Sequence, residues 1–380
     1  LGIPLEILVG ACGGGGVALL SLCSLYCISS GRCFKRRRRQ HHVLPLPADM
    51  PPASTSTGVA NRTLSDEERA LVRSCTIELL CTDYVQSLAA GNGDDDKFTS
   101  TPTKFHVGSQ QKAVDSLAKN LGMHDDGLAA LASQGLASIC DEFAANGTEE
   151  DQKLLHYVRR MRAGRGDDLF PAGFENGDLD AARNGESLKD FVDSYAARKA
   201  GLSIEHVVSL RLYTTAAFKT INQPLRAGSR HPLPVTVHFL ADAIKKLRVV
   251  KIGTSDANDG KTYWRGMRDL VIDDVFMREG GTEMAPMSCT SDLRVAMQYA
   301  TRTATSRECL VFKVQTDGFI NTGADLEFLS AFPTEKEFVY GPYTYLKPTG
   351  LREEIIVGPL PQAGGRSMSV TIIEVKPYMT

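Results

Sequence analysis

The hydrophobic pattern changes period once, near residue 248, and that change constrains the fold more than any other feature of the chain. Before it, apolar residues recur at helical spacing, and Leu188–Arg198, Ile204–Asn222 and Leu233–Leu247 read as helices. After it, they come in short runs. Val249-Val-Lys-Ile252, Leu310–Val314, Glu353–Val357 and Val370–Val375 read as strands, separated by Gly, Pro, Asp and Asn. Helices first and strands later predict an α+β fold, with helices packed on a mixed β core.

The residues upstream divide by composition. From Ile7 to Gly31 there are 25 residues without a charge. As a helix they would span about 37 Å, more than the ~30 Å hydrocarbon core of a bilayer. A secretory leader carries its positive charges ahead of the apolar stretch; here Arg32 and Lys35 to Arg39 follow it. Residues 1–34 are therefore expected to be a transmembrane anchor with its juxtamembrane segment. The basic cluster predicts a single-pass membrane protein whose later residues are cytoplasmic. The same cluster suits anionic lipid, and Cys33 is a palmitoylation candidate. Two glycosylation sequons, Asn61-Arg-Thr63 and Asn146-Gly-Thr148, point to the opposite orientation, but such triplets arise often by chance.

Residues 35–62 are basic, then rich in Pro, Ser and Thr, and read as a linker. Residues 63–187 read as a helical accessory region. Ser65 and Glu68 form a capping-box signature at its start, and further helices are expected at Ala113–Leu121, Leu128–Phe143 and Asp151–Met161. Its histidines, His106, His124 and His156, are isolated and suggest no chemistry. A net charge of -2 gives no reason to expect nucleic acid as a partner. Nine cysteines without a C-x-x-C spacing suggest free thiols rather than a zinc or redox site, so no metal is expected.

Three short motifs lie in residues 188–380. Tyr263-Trp-Arg265-Gly266 sets an arginine among aromatics before a glycine, which suits a cation meeting phosphate where backbone approaches a ligand closely. Read alone, Arg265 is more simply a buried salt-bridge partner, and Trp264 a core residue. Ser288-Cys-Thr290-Ser291 runs into the helical Leu293–Ala300, so one of its hydroxyls could be an ordinary helix cap. Glu335-Lys-Glu337 follows Pro333. In an extended chain its two carboxylates would share one face, although surface strands carry such pairs often.

The order of the three motifs resembles the arginine-serine-glutamate class of mono-ADP-ribosyltransferases. Leu212-Tyr213-Thr214 followed by Ile221-Asn222 and Leu225-Arg226 is similar to the helix that opens that catalytic domain. Phe328-Leu-Ser330-Ala-Phe332-Pro333-Thr-Glu335-Lys-Glu337 resembles the family's S-x-F-P-x-E-x-E stretch. The resemblance covers roughly residues 188 to 378, so 188–380 is taken as an ADP-ribosyltransferase catalytic domain with an NAD cleft. It implies NAD⁺ as co-substrate and a protein with an accessible arginine as acceptor. It further implies that Arg265 binds the NAD⁺ phosphates and that the backbone of Gly266 grips the nicotinamide amide. Ser288 would line the nicotinamide and orient Glu337. Glu337 would hydrogen-bond the ribose, and Glu335 would handle the acceptor. A Glu at the first E-x-E position accompanies the arginine-specific type.

The chemistry agrees with those roles. Breaking the glycosidic bond of NAD⁺ builds positive charge on the ribose, and a fixed carboxylate stabilises it most in the transition state. A protonated guanidinium is a poor nucleophile, and a second carboxylate can take its proton. The sequence departs from the family's Ser-Thr-Ser at Cys289, and Phe276 is a weak candidate for the aromatic that stacks on nicotinamide. Two other readings stay open. An NAD⁺ glycohydrolase would need Glu337 but not Glu335, and a silent, membrane-anchored binding module would need neither.

Overall fold

Strands drawn from distant parts of the chain build one sheet. They are β1 (Phe105–His106), β2 (Thr262–Arg268), β3 (Gly281–Glu283), β4 (Met287–Thr290) and β5 (Glu308–Gln315). β6 (Ala324–Asp325), β7 (Glu337–Tyr340), β8 (Thr344–Leu360) and β9 (Arg366–Tyr378) follow. In the computed structural model their order is β1-β3-β8-β9-β5-β2-β4-β7-β6. The β5–β9 pair is parallel and the other described pairs are antiparallel, so the sheet is mixed, as expected. The structure describes residues 63–81, 105–106, 117–122, 127–160, 179–180, 183, 185–250, 260–268, 270, 272–301, 308–318 and 321–379.

The central strands were the easiest to read because both their faces are buried. On β5 Val311 packs to one side while Leu310, Phe312 and Val314 pack to the other. On β9 Val370 and Ile372 face the first side, and Ile373 and Val375 the second. Strands buried on both faces show near-continuous apolar runs.

The helices are α1 (Asp66–Cys81), α2 (Gly127–Ala132), α3 (Leu136–Asn146), α4 (Glu149–Arg160), α5 (Leu188–Val192) and α6 (Tyr195–Ala200). Then come α7 (Ile204–Tyr213), α8 (Phe218–Ala227), α9 (Pro234–Val249), α10 (Asp274–Glu279) and α11 (Leu293–Thr301). The capping box at α1 forms as predicted: the Glu68 amide donates to Ser65 Oγ at 3.2 Å and the Ser65 amide to Glu68 Oε2 at 2.9 Å. Several expected helices are broken. The one expected over Ile204–Asn222 splits after Tyr213, where Thr214 and Thr215 turn their hydroxyls onto the Arg211 and Leu212 carbonyls. Such back-bonding competes with the helical ladder. Leu188–Arg198 splits at Ser194, which caps α6 through the Ala197 amide. Leu128–Phe143 breaks around Gly135. The strand expected at 249–252 does not form at its start, because Val249 ends α9.

Two stretches that differ in composition bury their apolar residues together. Phe143, Leu154 and Tyr157 from α3 and α4 lie in one core with Val207, Leu210, Ile221, Leu240, Leu329 and Val339. In a second core, Val72, Cys75 and Leu80 of α1 pack with Trp264, Leu293, Met297 and Ile372. The accessory helices and the domain that follows thus share their cores. Charge reinforces α1: Lys313 meets Glu68 at 2.6 Å and Glu374 at 3.3 Å, and Arg69 pairs with Glu353. Among the described residues no helix is long and apolar enough to cross a membrane. The expected anchor at 7–31, the basic cluster and the linker lie outside those residues.

One contact fixes how α11 sits on the sheet. A Cβ on Gly266 would come within 1.8 Å of the Ala296 carbonyl oxygen and 2.8 Å of the Ala300 amide nitrogen. Helix backbone therefore lies directly on β2, and only glycine fits. The glycine is explained by this packing, whether or not a ligand also approaches it. Overpacking a core costs about 1–3 kcal/mol, and a collision with backbone cannot be relieved by a rotamer change. Gly266→Ala is expected to destabilise the protein by roughly 3 kcal/mol in urea unfolding. Adding Ala296→Gly should restore little, since the collision is with a main-chain oxygen. Full recovery in the double variant would contradict this packing.

Candidate active site

The candidate residues gather where β2, β4 and β7 lie side by side. Thr290 pairs with Trp264 on one neighbour and with Glu337 on the other, and Ser288 pairs with Val339. Arg265, Gly266, Ser288, Glu335 and Glu337 are thus brought together by three adjacent strands and the turn before β7.

Glu337 begins β7 and is 9% exposed. The hydroxyls of Ser288 and Ser330 stand beside its carboxylate and favour the charged form. Burial pushes its pKa up to about 7, the Glu335 charge adds to the rise, and the two hydroxyls work against it. A carboxyl group that ionises near neutrality while buried is suited to act on charge developing beside it.

Ser288 is held in turn from α7. Tyr213 Oη lies 2.9 Å from Ser288 Oγ and 3.0 Å from the Pro286 carbonyl. The Tyr213 hydroxyl donates to the Pro286 carbonyl, and its oxygen stands within hydrogen-bond distance of the Ser288 hydroxyl. Ser288 thus stands between the Tyr213 hydroxyl and the Glu337 carboxylate. Tyr213 is buried and its pKa is raised to about 12, chiefly by burial and then by the Glu337 charge, so it remains a donor. The sequence offered Tyr213 only as a motif letter.

The expectation for the E-x-E triplet needs correction. It assumed an extended chain, but Pro333–Glu335 form a 3₁₀ turn and Lys336 is left-handed at φ 48°. Only Glu337 belongs to the strand. The carboxylates remain within electrostatic reach of each other, and the Glu335 charge raises the Glu337 pKa. Glu335 Oε1 accepts from Tyr299 Oη of α11 at 2.7 Å. The Thr290 hydroxyl donates to the Glu335 carbonyl at 2.7 Å and accepts from the Asp292 amide at 3.0 Å. Thr290 thus secures the turn and the entry to α11 together. Cys289 points away into a core with Tyr263, Met287 and Phe312, and burial raises its thiol pKa to about 12. The departure from Ser-Thr-Ser therefore falls on a packing position.

The loop before the turn is tied down by buried charge. Arg211 makes two hydrogen bonds to Asp180, at 2.8 and 2.5 Å, and one to the Leu329 carbonyl at 2.9 Å. Tyr157 donates to the same aspartate at 2.7 Å, and the Asp180 amide donates to the Ala331 carbonyl at 2.8 Å. Arg183 reaches the Phe328 carbonyl at 2.9 Å and the Ser330 carbonyl at 2.8 Å. Ser330, the second hydroxyl beside Glu337, is held by these contacts.

Arg265 is anchored on two sides. Its Nη1 donates to the Ser288 carbonyl at 2.9 Å, and its Nη2 meets Glu283 Oε2 at 3.4 Å. Glu283 is fully buried and also takes a two-pronged contact from Arg226 at 3.1 and 3.2 Å. The salt bridge that the sequence alone allowed for Arg265 therefore exists, on a carboxylate that already has another cation. The Arg265 Nε is buried without a hydrogen-bond partner. Two guanidinium groups on one carboxylate leave a net positive charge beside Ser288 and Glu337, which favours an anion there. Phe276 does not fit the stacking role, because it lies in the core, stacked on Phe312 at 5.6 Å between centroids. Among the described residues no group of three or more His, Cys, Asp or Glu gathers as metal ligands.

No family model and no curated protein sequence matches the chain. Solved structures do show likeness. The eucaryotic mono-ADP-ribosyltransferase ART2.2 is 12% identical, with 75% of this chain and 94% of that one aligned at a TM-score of 0.36. The ADP-ribosyltransferase HopU1 of Pseudomonas syringae is 16% identical over 60% of this chain and 97% of that one, with a TM-score of 0.35. Exoenzyme S from Pseudomonas aeruginosa, solved with human 14-3-3 beta and carba-NAD, is 19% identical over 49% of this chain and 86% of that one, with a TM-score of 0.32. At these values the likeness decides nothing about this chain's activity, and the reading of the site rests on its own residues.

Proposed function

We propose that the chain is an NAD⁺-protein-arginine mono-ADP-ribosyltransferase. The observation that carries this reading is Glu337: a buried carboxyl group beside the hydroxyls of Ser288 and Ser330, with a second carboxylate near it. Arg265, with an unpartnered Nε, stands across Ser288 from it and suits a phosphate of NAD⁺. The backbone of Gly266 would meet the nicotinamide amide. NAD⁺ is a substrate here, and no metal is needed.

The bond between ribose C1′ and the nicotinamide nitrogen breaks, and nicotinamide leaves with the electron pair. The ribose becomes an oxocarbenium ion, which the Glu337 carboxylate stabilises. The positive nicotinamide ring of bound NAD⁺ favours the ionised form of a carboxyl group poised near pH 7. A guanidinium nitrogen of the acceptor then attacks C1′, and Glu335 takes its proton. The products are nicotinamide and ADP-ribosylated arginine. The single-pass anchor at residues 7–31 and a cytoplasmic catalytic domain remain part of the proposal on sequence grounds alone.

The test is incubation with labelled NAD⁺ and an arginine-rich acceptor, beside its lysine-substituted counterpart. Label on the first alone supports the proposal. Glu337→Gln keeps shape and loses charge, so labelling and nicotinamide release should both fall by about 10²-fold or more, with NAD⁺ affinity little changed. Glu335→Gln should lose arginine labelling while keeping much of the NAD⁺ hydrolysis, because water can trap the cation. Equal loss of both activities in Glu335→Gln would refute this division of roles.

Burying Glu337 also sets a stability trend. Its pKa rises on folding from 4.5 to about 7, so the folded state holds the proton more tightly. The stabilising contribution is complete below the unfolded value and is lost as pH rises through the folded one. At about 1.4 kcal/mol per pKa unit, the loss is roughly 3 kcal/mol. Urea unfolding near pH 5 and near pH 8 should show this fall in the wild type and a smaller one in Glu337→Gln. Equal pH trends in the two proteins would contradict it.

A further inference from the structure

We infer that Tyr299 is a positioning residue for the acceptor step, holding the Glu335 carboxylate toward the incoming guanidinium. The inference rests on the proposed role of Glu335. No sequence motif singled out Tyr299. It stands near the end of α11, is 41% exposed, and donates to Glu335 Oε1 at 2.7 Å across 36 residues of chain.

Three features make this contact more than an incidental surface bond. First, the backbone of Glu335 is already fixed. Its carbonyl accepts from Thr290 Oγ1 at 2.7 Å, its amide donates to the Phe332 carbonyl at 3.0 Å, and left-handed Lys336 follows it. The Tyr299 hydroxyl in turn constrains the torsions of the Glu335 side chain. Second, α11 cannot slide to follow a wandering carboxylate. Ala296 and Ala300, on the turn that carries Tyr299, lie against Gly266 with no room for a Cβ. Third, the energetics favour a functional reading. A hydrogen bond between exposed groups contributes about 1 kcal/mol or less to stability. Orientation of a proton acceptor, by contrast, governs a step where general base catalysis is worth about 10²–10⁴-fold.

Tyr299→Phe removes the hydroxyl and keeps the ring, so the fold should be undisturbed. Labelling of an arginine-rich acceptor and nicotinamide release into water are read on the same samples. The ratio of labelling to release should fall about tenfold in Tyr299→Phe. The carboxyl ¹³C resonance of Glu335, assigned by its loss in Glu335→Gln, supplies a second readout that needs no turnover. It should shift in Tyr299→Phe, because a donor to the carboxylate is gone. An unchanged ratio, or parallel loss of both activities, would overturn the inference. If the wild type releases nicotinamide but labels no arginine, the acceptor assignment fails. The Glu335 resonance then decides, and an identical signal in wild type and Tyr299→Phe would overturn the role of Tyr299 by itself.

Discussion

Taking the Glu337 carboxyl group out of water disfavours its charge, and only hydrogen bonds or opposite charge can offset that cost. Two hydroxyls, from Ser288 and Ser330, do so incompletely, which is why the group ionises near pH 7 and not at its usual value. Much of the surrounding structure keeps those two hydroxyls in place. Tyr213 orients Ser288 from α7. Asp180, Arg211 and Arg183 clasp the loop that carries Ser330, with two arginines satisfying its carbonyls. Breaking a buried pair such as Arg211–Asp180 costs about 3–5 kcal/mol, so the loop geometry is firmly held.

A second buried carboxylate, Glu283, does for the arginines what the hydroxyls do for Glu337. It joins Arg226 of α8 to Arg265 of β2. One negative charge between two cations leaves the site with an excess of positive charge on the Arg265 side. Glu337 and Glu335 give it negative charge on the other. A substrate with anionic phosphates at one end and a cationic ring at the other suits that polarity. The close seat of α11 on Gly266 keeps the two sides in register.

Much of this was legible in the sequence, for physical reasons. β5 and β9 declared themselves because both faces are buried, and the start of α1 because its capping box is local. Ser288 and Glu337 were readable because each stands in a short motif whose order along the chain resembles a known family. Residues whose roles depend on distant partners were not. Asp180, Arg183, Glu283 and Tyr299 act through contacts across 18 to 147 positions, and no periodicity marks them. The broken helices have local causes that the period alone hides: Thr214 and Thr215 turning back onto the backbone, the Ser194 cap and Gly135. The extended reading of the E-x-E triplet failed at Lys336, whose left-handed backbone no residue pattern announced.

In the proposed reaction the charge of Glu337 carries the bond-breaking step, and the pH dependence of kcat/KM for nicotinamide release tests that most directly. Measured from about pH 5 to about pH 9, kcat/KM reports the ionisation of the free protein. The wild type should climb about tenfold per pH unit and level off near pH 7, and Glu337→Gln should lack that limb. A wild-type profile that is flat across this range, or a limb that persists in Glu337→Gln, would contradict the assignment of the buried carboxylate to the bond-breaking step.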